Sequence, residues 1–226
     1  MFAVYKNLDN MEKIAIVGSG GFAREVLSLI EDINRQQPTY EIAGFVDTDT
    51  SKSIHGYPVI GNDDYVNEAL EPFSVVIAVG EPHLKRKIRN KYTNPLIKFP
   101  SLIHPSVLIG SKDTVSIGEG CIICAGCILT TDIEIKDFVT LNLMCTVGHD
   151  TNIGNYCSFM PSVNISGEVQ VNEGVYVGTG AKIINQLEIG NNTIVGAGAV
   201  VAKSLPADCT AVGGPAKPIK FNKLNN

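Results

Sequence analysis

VSIGEG CIICAG CILTTD IEIKDF VTLNLM CTVGHD TNIGNY CSFMPS VNISGE VQVNEG VYVGTG AKIINQ LEIGNN TIVGAG AVV, residues Val115–Val201, reads in sixes. An aliphatic or aromatic residue holds the third place of every six: Ile117, Ile123, Leu129, Ile135, Leu141, Val147, Ile153, Phe159, Ile165, Val171, Val177, Ile183, Ile189, Val195 and Val201. Two residues earlier runs a smaller series that includes Val115, Cys121, Cys127, Val139, Cys145, Cys157, Val175, Ala181 and Ala199. An α-helix repeats every 3.6 residues and a simple strand every 2, so neither accounts for a strict six. A hexapeptide period is the signature of a parallel β-helix. Each short strand there has one face to bury, and the coils above and below bury it. The register locks only at Val115; Ile109–Val115 reads as a small insertion in the first turn.

Upstream the pattern changes. Lys13–Val17 is a short apolar run, followed by Gly18-Ser19-Gly20-Gly21. Phe22–Gln36 then has helical spacing, with Phe22, Val26, Leu27 and Ile30 on one face. Strands are expected at Ile42–Val46, Val59–Gly61 and Val75–Val79. Helices are expected at Asp63–Leu70 and Pro82–Tyr92. Alternating strand and helix implies a small parallel α/β sheet. The chain therefore divides into an α/β domain at 12–100 and a β-helix domain at 101–226, the latter ending in a Pro- and Lys-rich tail suited to covering one open end of the coils.

Gly18-Ser19-Gly20-Gly21-Phe22-Ala23 fits G-x-G-x-x-A between a strand and a helix, where amide N–H groups at the helix start face a phosphate. Asp47, at the end of the next strand, is placed to accept hydrogen bonds from a ribose or base. Nicotinamide binding is the first reading, but about 90 residues supply roughly half of a dinucleotide fold. A nucleoside diphosphate fits better, and a tight turn without a ligand is the third possibility.

The net charge of −5 argues against nucleic acid as a partner. No apolar run is long enough to cross a membrane, and Met1–Met11 does not read as an export signal. Four of the six cysteines fall in the small inward series as compact core fillers, a usage that suits a reducing cytoplasm. No cysteine–histidine spacing completes a metal site.

GSGGFAREV, GFVDTD, IAVG, IHPS, the hexapeptides and the closing GGPAKPI together resemble the PglD/NeuD-type sugar O-/N-acyltransferases over about residues 12–221. The resemblance implies a Rossmann-like domain holding a nucleotide-sugar, then a left-handed parallel β-helix. It also implies a homotrimer, with acetyl-CoA as co-substrate in a cleft between neighbouring β-helices and the active site shared between subunits. Metal has no part in it. Carried onto this chain, His149 is the base, Asn142 its companion seven residues earlier, and Gly167 the residue whose N–H faces the thioester oxygen. Gly178, Gly180, Ala181, Gly196 and Gly198 match segments along the pantetheine arm. Lys203, Gly214, Pro215 and Lys217 match the region of the coenzyme's nucleotide end. Gly18, Gly20, Gly21, Asp47 and Gly80 match the nucleotide-sugar site. Many members carry a second histidine nine residues after the first; here that position is Ser158, whose hydroxyl cannot carry positive charge.

Acyl transfer from a thioester needs a deprotonated nucleophile and a site for negative charge. A histidine base contributes about 10²–10⁴-fold, and one N–H donor to the oxyanion about 3 kcal/mol. Asp150 either fixes the imidazole tautomer or points to solvent. Spacing alone leaves His149 as a base or an idle turn histidine. The product is an N-acetylated or, alternatively, an O-acetylated sugar. A β-helix scaffold without catalysis is the reading that Ser158 keeps open. His104 is assigned a structural role and His55 and His83 the surface. The basic run Lys85, Arg86, Lys87, Arg89, Lys91 is read as a solvated helix face.

Overall fold

The computed structural model describes residues 11–221; the reading of the first ten residues as lacking an export signal lies outside them. Contacts divide the chain into two compact units. One is residues 11–79 with Lys87–Pro100, and the other is Gly80–Arg86 with residues 101–221.

The first unit begins with β1 (Glu12–Val17), α1 (Gly21–Gln36) and β2 (Tyr40–Val46), then β3 (Ser53–Ile54), β4 (Tyr57–Gly61), α2 (Asp63–Asn67) and β5 (Phe73–Ile77). After α3 (Pro82–Arg89) comes β6 (Ile97–Lys98). The strand order is β3-β4-β2-β1-β5-β6, parallel except for the β3–β4 hairpin. β5 is buried along its whole length, which is why it reads as an unbroken apolar run. α1 buries Ala23, Val26, Leu27, Leu29 and Ile30. Both shorter helices stop sooner than their sequence pattern suggests. α2 ends at Asn67 rather than Leu70 because the Asn94 side-chain amide donates to the carbonyls of Asn67 and Ala69. α3 ends at Arg89 rather than Tyr92, as Lys91 and Tyr92 turn back onto the carbonyls of Ile88 and Arg89.

The second unit is a parallel β-helix of three faces. The first face stacks Leu102–Ile103, Ile122–Ile123, Thr140–Leu141, Ser158–Phe159, Tyr176–Val177 and Ile194–Val195, and the hairpin of Cys209–Val212 with Lys217–Phe221 closes its upper end. The second stacks Leu108–Ile109, Ile128–Leu129, Thr146–Val147, Asn164–Ile165, Lys182–Ile183 and Val200–Val201. The third runs from Val115–Ile117 to Glu188–Ile189. Partners lie eighteen residues apart, as in Thr140↔Ser158 and Thr146↔Asn164. The first coil shows the insertion: Leu102 pairs with Ile122 and Leu108 with Ile128, two residues further, while Val115 pairs with Ile133 in register; the last coil is shorter instead, with Ile189 paired to Leu205 and Ile194 to Thr210. A 3₁₀ turn at Lys112–Thr114 takes up the excess.

Both hexapeptide series point inward and form one core, from Cys121 to Ala216. Every sixth residue from Gly120 to Gly198 has a positive φ, because each corner of the coil turns through a left-handed residue. Six of these corners carry Phe138, Met144, Tyr156, Ser162, Glu168 and Gln186, each at a backbone cost of about 1 kcal/mol. Stacking outweighs that cost, since each buried Val, Ile, Leu or Phe contributes about 1.5–3 kcal/mol.

Phe159, fully buried at mid-stack, tests this balance. Phe159→Ala is expected to lower unfolding stability by about 3–5 kcal/mol, and Gln170→Ala, on the exposed side of the third face, to change it by less than about 0.5 kcal/mol. Urea denaturation of both variants checks the contrast.

Candidate active site

His149 follows the strand Thr146–Val147 and lies on the corner between the second and third faces. Its side chain is half exposed. Nδ1 stands 2.7 Å from Asp150 Oδ2. With the carboxylate ionised, that bond places the proton on Nδ1 and leaves the Nε2 lone pair free to accept one. Asp150 thus faces the imidazole rather than solvent alone. It holds a left-handed corner position, φ 56°, which turns its short side chain back onto the ring.

Gly167 occupies the same corner one coil above. A Cβ there would sit 2.5 Å from His149 Nε2 and 2.6 Å from Cε1, so only glycine leaves room for the ring. Its carbonyl accepts from Gln186 N, and its own N–H has no hydrogen-bond partner among the described residues. One edge of the second face therefore carries a carboxylate-oriented imidazole lying against a bare glycine.

Asn142 lies on the other edge of that face, at the corner following Thr140–Leu141. It is buried, its Oδ1 accepts from Leu143 N at 2.7 Å and its N–H donates to Phe159 O at 2.9 Å. The same corner, on higher coils, holds Gly178, Gly180 and Ala181, then Gly196 and Gly198. A Cβ at Gly178 would lie 2.5 Å from Ala197 N, so the coils meet there backbone to backbone. From Asn142 to Gly196 is three coils, a rise of about 14 Å at the usual strand spacing. Gly214 and Pro215 lie in the terminal hairpin turn, Gly214 against Val200 and Lys217 opening the last strand. Lys203 is on the His149 edge, past Val200–Val201.

In the first unit the glycine loop sits where the sheet order changes direction, at the end of β1 between β2 and β5. Gly18 has φ 101°, and its N–H donates to Val46 O. α1 starts with no acidic residue in its first turn, so no charge of the helix itself opposes an anion at its N-terminus. Ser19 Oγ donates to Asp47 Oδ2 at 2.5 Å. That bond, with those from Thr48, holds the Asp47 carboxyl below its usual range. Gly80, three residues after β5, groups with the second unit, where a Cβ would lie 3.7 Å from Met160 Cε.

Lys85 departs from the expected solvated helix face. It is 1 % exposed. Its Nζ donates to Phe138 O and Thr140 Oγ1 at 2.9 Å and to Ser158 Oγ at 3.0 Å. Ser158 is itself fully buried on the first face. The hydroxyl at 158 is thus covered by an ammonium. Helical spacing held the signal: Lys85 shares a face with Pro82 and Ile88, while Leu84 is 43 % exposed. Arg86 and Arg89 are also engaged, Arg86 on Glu173 and the Tyr156 ring and Arg89 on the Phe99 ring. Burial pushes Lys85 down to about 8, opposed by Cys157, Cys121 and Glu81 nearby.

The same architecture recurs in known proteins. The family model of the PglD N-terminal domain matches residues 13–92. A GDP-perosamine N-acetyltransferase of Escherichia coli O157:H7 is 27 % identical over 218 residues, 93 % of this chain and 97 % of that protein. The acetyltransferase domain of PglB from Neisseria gonorrhoeae FA1090 superimposes with a TM-score of 0.85 at 32 % identity, covering 92 % of this chain and all of that one. PerB from Caulobacter crescentus, solved in complex with CoA and GDP-perosamine, gives 0.83 at 32 % identity, covering 92 % and 97 %. A β-helix of this kind, with relatives of this kind along nearly its whole length, is that of an acyltransferase. Within that class the chain belongs to the PglD/NeuD-type sugar acyltransferases.

The depressed Lys85 value makes a signed prediction. Between pH 8 and about 10.5 the unfolded chain binds a proton at this side chain that the folded chain has released. Stability from this group is lowest below pH 8 and rises through that window by up to about 1 kcal/mol per pH unit. Buried Cys121 and Cys157, pushed up to about 11 and about 12, act in the opposite direction above pH 9. The difference between wild type and Lys85→Met in urea unfolding at pH 7.5 and 9.5 isolates the lysine, and it is expected to favour wild type more at the higher pH.

Proposed function

We propose that the protein transfers the acetyl group of acetyl-CoA to the amine of a nucleotide-activated amino sugar, directly within a ternary complex. The observation that carries this reading is the His149 imidazole, bonded through Nδ1 to Asp150 and lying against Gly167. Nε2 takes the proton from the attacking ammonium, the neutral amine adds to the thioester carbon, and the developing oxyanion meets the Gly167 N–H. As collapse breaks the C–S bond, the extra N–H proton of the tetrahedral adduct passes to the leaving thiolate, giving the amide and the coenzyme thiol, and the imidazolium releases its proton to solvent. Relatives named for GDP-perosamine acetylation, one of them bound to CoA and GDP-perosamine, support an amine acceptor and a nucleoside diphosphate handle. The glycine loop, the bare N-terminus of α1 and Asp47 are the groups for that handle. No helix among the described residues is long and apolar enough to cross a membrane. We assign the protein to the cytoplasm, in the supply of acetylated sugars for a surface glycan.

The working form in this reading is a homotrimer. Asn142 and the coenzyme glycines stand on one edge of the second face, and His149, Asp150 and Gly167 on the other, so one chain does not assemble the set. Three copies with that face turned to a common axis bring one edge of each copy against the opposite edge of the next. The exposed apolar side chains support this choice of face: Leu108, Ile128 and Val200 on it, Leu143, Met144 and Ile184 at its edges. The column from Asn142 to Gly196 then lies along the pantetheine arm, with Lys203, Gly214, Pro215 and Lys217 at its upper end.

His149→Ala is expected to lower kcat by about 10²–10⁴-fold with coenzyme binding by calorimetry unchanged; near-normal turnover would remove the assigned role. Amino and hydroxyl sugar acceptors on the same nucleotide, compared side by side, decide between N- and O-acetylation. The shared site has its own test. His149→Ala and Asn142→Ala chains, each strongly impaired alone, are expected to regain part of the activity when unfolded and refolded together. A mixture no more active than its components places the site within one chain.

A further inference from the structure

Lys85 is the buried group that the proposed chemistry does not use. It carries three N–H hydrogens and meets three acceptors, Phe138 O, Thr140 Oγ1 and Ser158 Oγ, so the ammonium is satisfied. Burying a charge without a carboxylate partner is costly, and an apolar side chain would fill the same space. The location of the three acceptors says what the charge does. Phe138 and Thr140 precede Asn142 on one coil, and Ser158 lies on the coil above, paired with Thr140. A two-residue strand is held to its neighbour by few ladder bonds, here Thr140 N to Cys157 O and Asn142 N to Phe159 O. Lys85 adds a tie to each of the two coils at the strand that leads into Asn142. The charged and titratable groups around it are Glu81 on its own segment and Cys121 and Cys157 from the coils.

We propose that Lys85 is a positioning residue for acyl transfer, clamping the Thr140 and Ser158 coils together so that Asn142 is held fixed at its corner. This rests on the reading of Asn142 as part of the thioester cleft. The ammonium never reaches substrate; it acts through the backbone that carries Asn142. In this chain the clamp also gives the buried serine at 158 its use, as an acceptor for the cation.

The test compares Lys85→Met, Asn142→Ala and the double variant in the full chain, reading kcat, both KM values and amide hydrogen exchange across residues 139–144. Lys85→Met is expected to lower kcat by about 10- to 100-fold, with each KM within about threefold, to speed exchange at Asn142 and Leu143, and to add no further loss to Asn142→Ala. A Lys85→Met enzyme with wild-type kcat, or losses that multiply in the double variant, overturns the proposal. Should Lys85→Met not fold, Thr140→Val and Ser158→Ala each remove one tie while keeping the cation. Partial kcat losses that vanish in the Asn142→Ala background support the clamp, and unchanged kcat in both overturns it. If the wild-type enzyme acetylates no amino sugar, the functional reading fails by itself, while the exchange of residues 139–144 in Lys85→Met still decides the clamp: faster supports it, unchanged overturns it.

Discussion

The structure of the β-helix depends on one recurring bond, a backbone N–H donating to a carbonyl one coil away, as in Ile122 to Val139, Thr140 to Cys157 and Ser158 to Val175. A two-residue strand has too few such bonds to stand alone. Each becomes stable only because a coil above and a coil below complete it and cover its inward side chain. The stack therefore tolerates little slippage. A shift of one residue would turn every inward Val, Ile or Leu outward, and the long first coil, between Leu102 and Val115, confines its two additional residues to a surface turn.

That register also sets the spacing of the residues in the proposed chemistry. Residues eighteen apart lie above one another, so His149 meets Gly167 and Asn142 lies below Gly178 and Gly196 at set heights. The faces between corners separate what the corners hold, and within one chain His149 and Asn142 stand on opposite edges of the second face. Joining them calls for a second copy, which is why the proposed activity and the proposed assembly stand or fall together. Strain is concentrated at the same corners. Asp150 occupies a left-handed position, and its carboxylate reaches the imidazole from there.

Much of this was legible in the residues. The inward series, the α/β alternation before it, the glycine loop and the inserted turn were all readable, because each rests on periodicity or on a residue type with one strong local preference. The ends of α2 and α3 were not, since the Asn94 amide that takes the carbonyls of Asn67 and Ala69 lies far along the chain. The left-handed corners were only half visible. Glycine, aspartate and asparagine mark some, but Phe138, Met144 and Tyr156 hold others and carry no such mark. Lys85 read as one of five basic residues on a solvated helix, and its helical neighbours Pro82 and Ile88 were the only hint of the buried side.

By itself the sequence determined the repeat, and with it the core, the coil and the list of residues that share a corner, because hydrophobic burial at a fixed period admits one way of winding. Tertiary structure alone decided which of those residues touch. The imidazole at 149 faces its carboxylate and the bare glycine above it because the corner geometry aims it there. The ammonium at 85 is enclosed because three oxygens from two coils converge on it. Contacts of that kind depend on direction and distance between segments that fold onto one another, and a one-dimensional pattern of apolar and polar residues records neither.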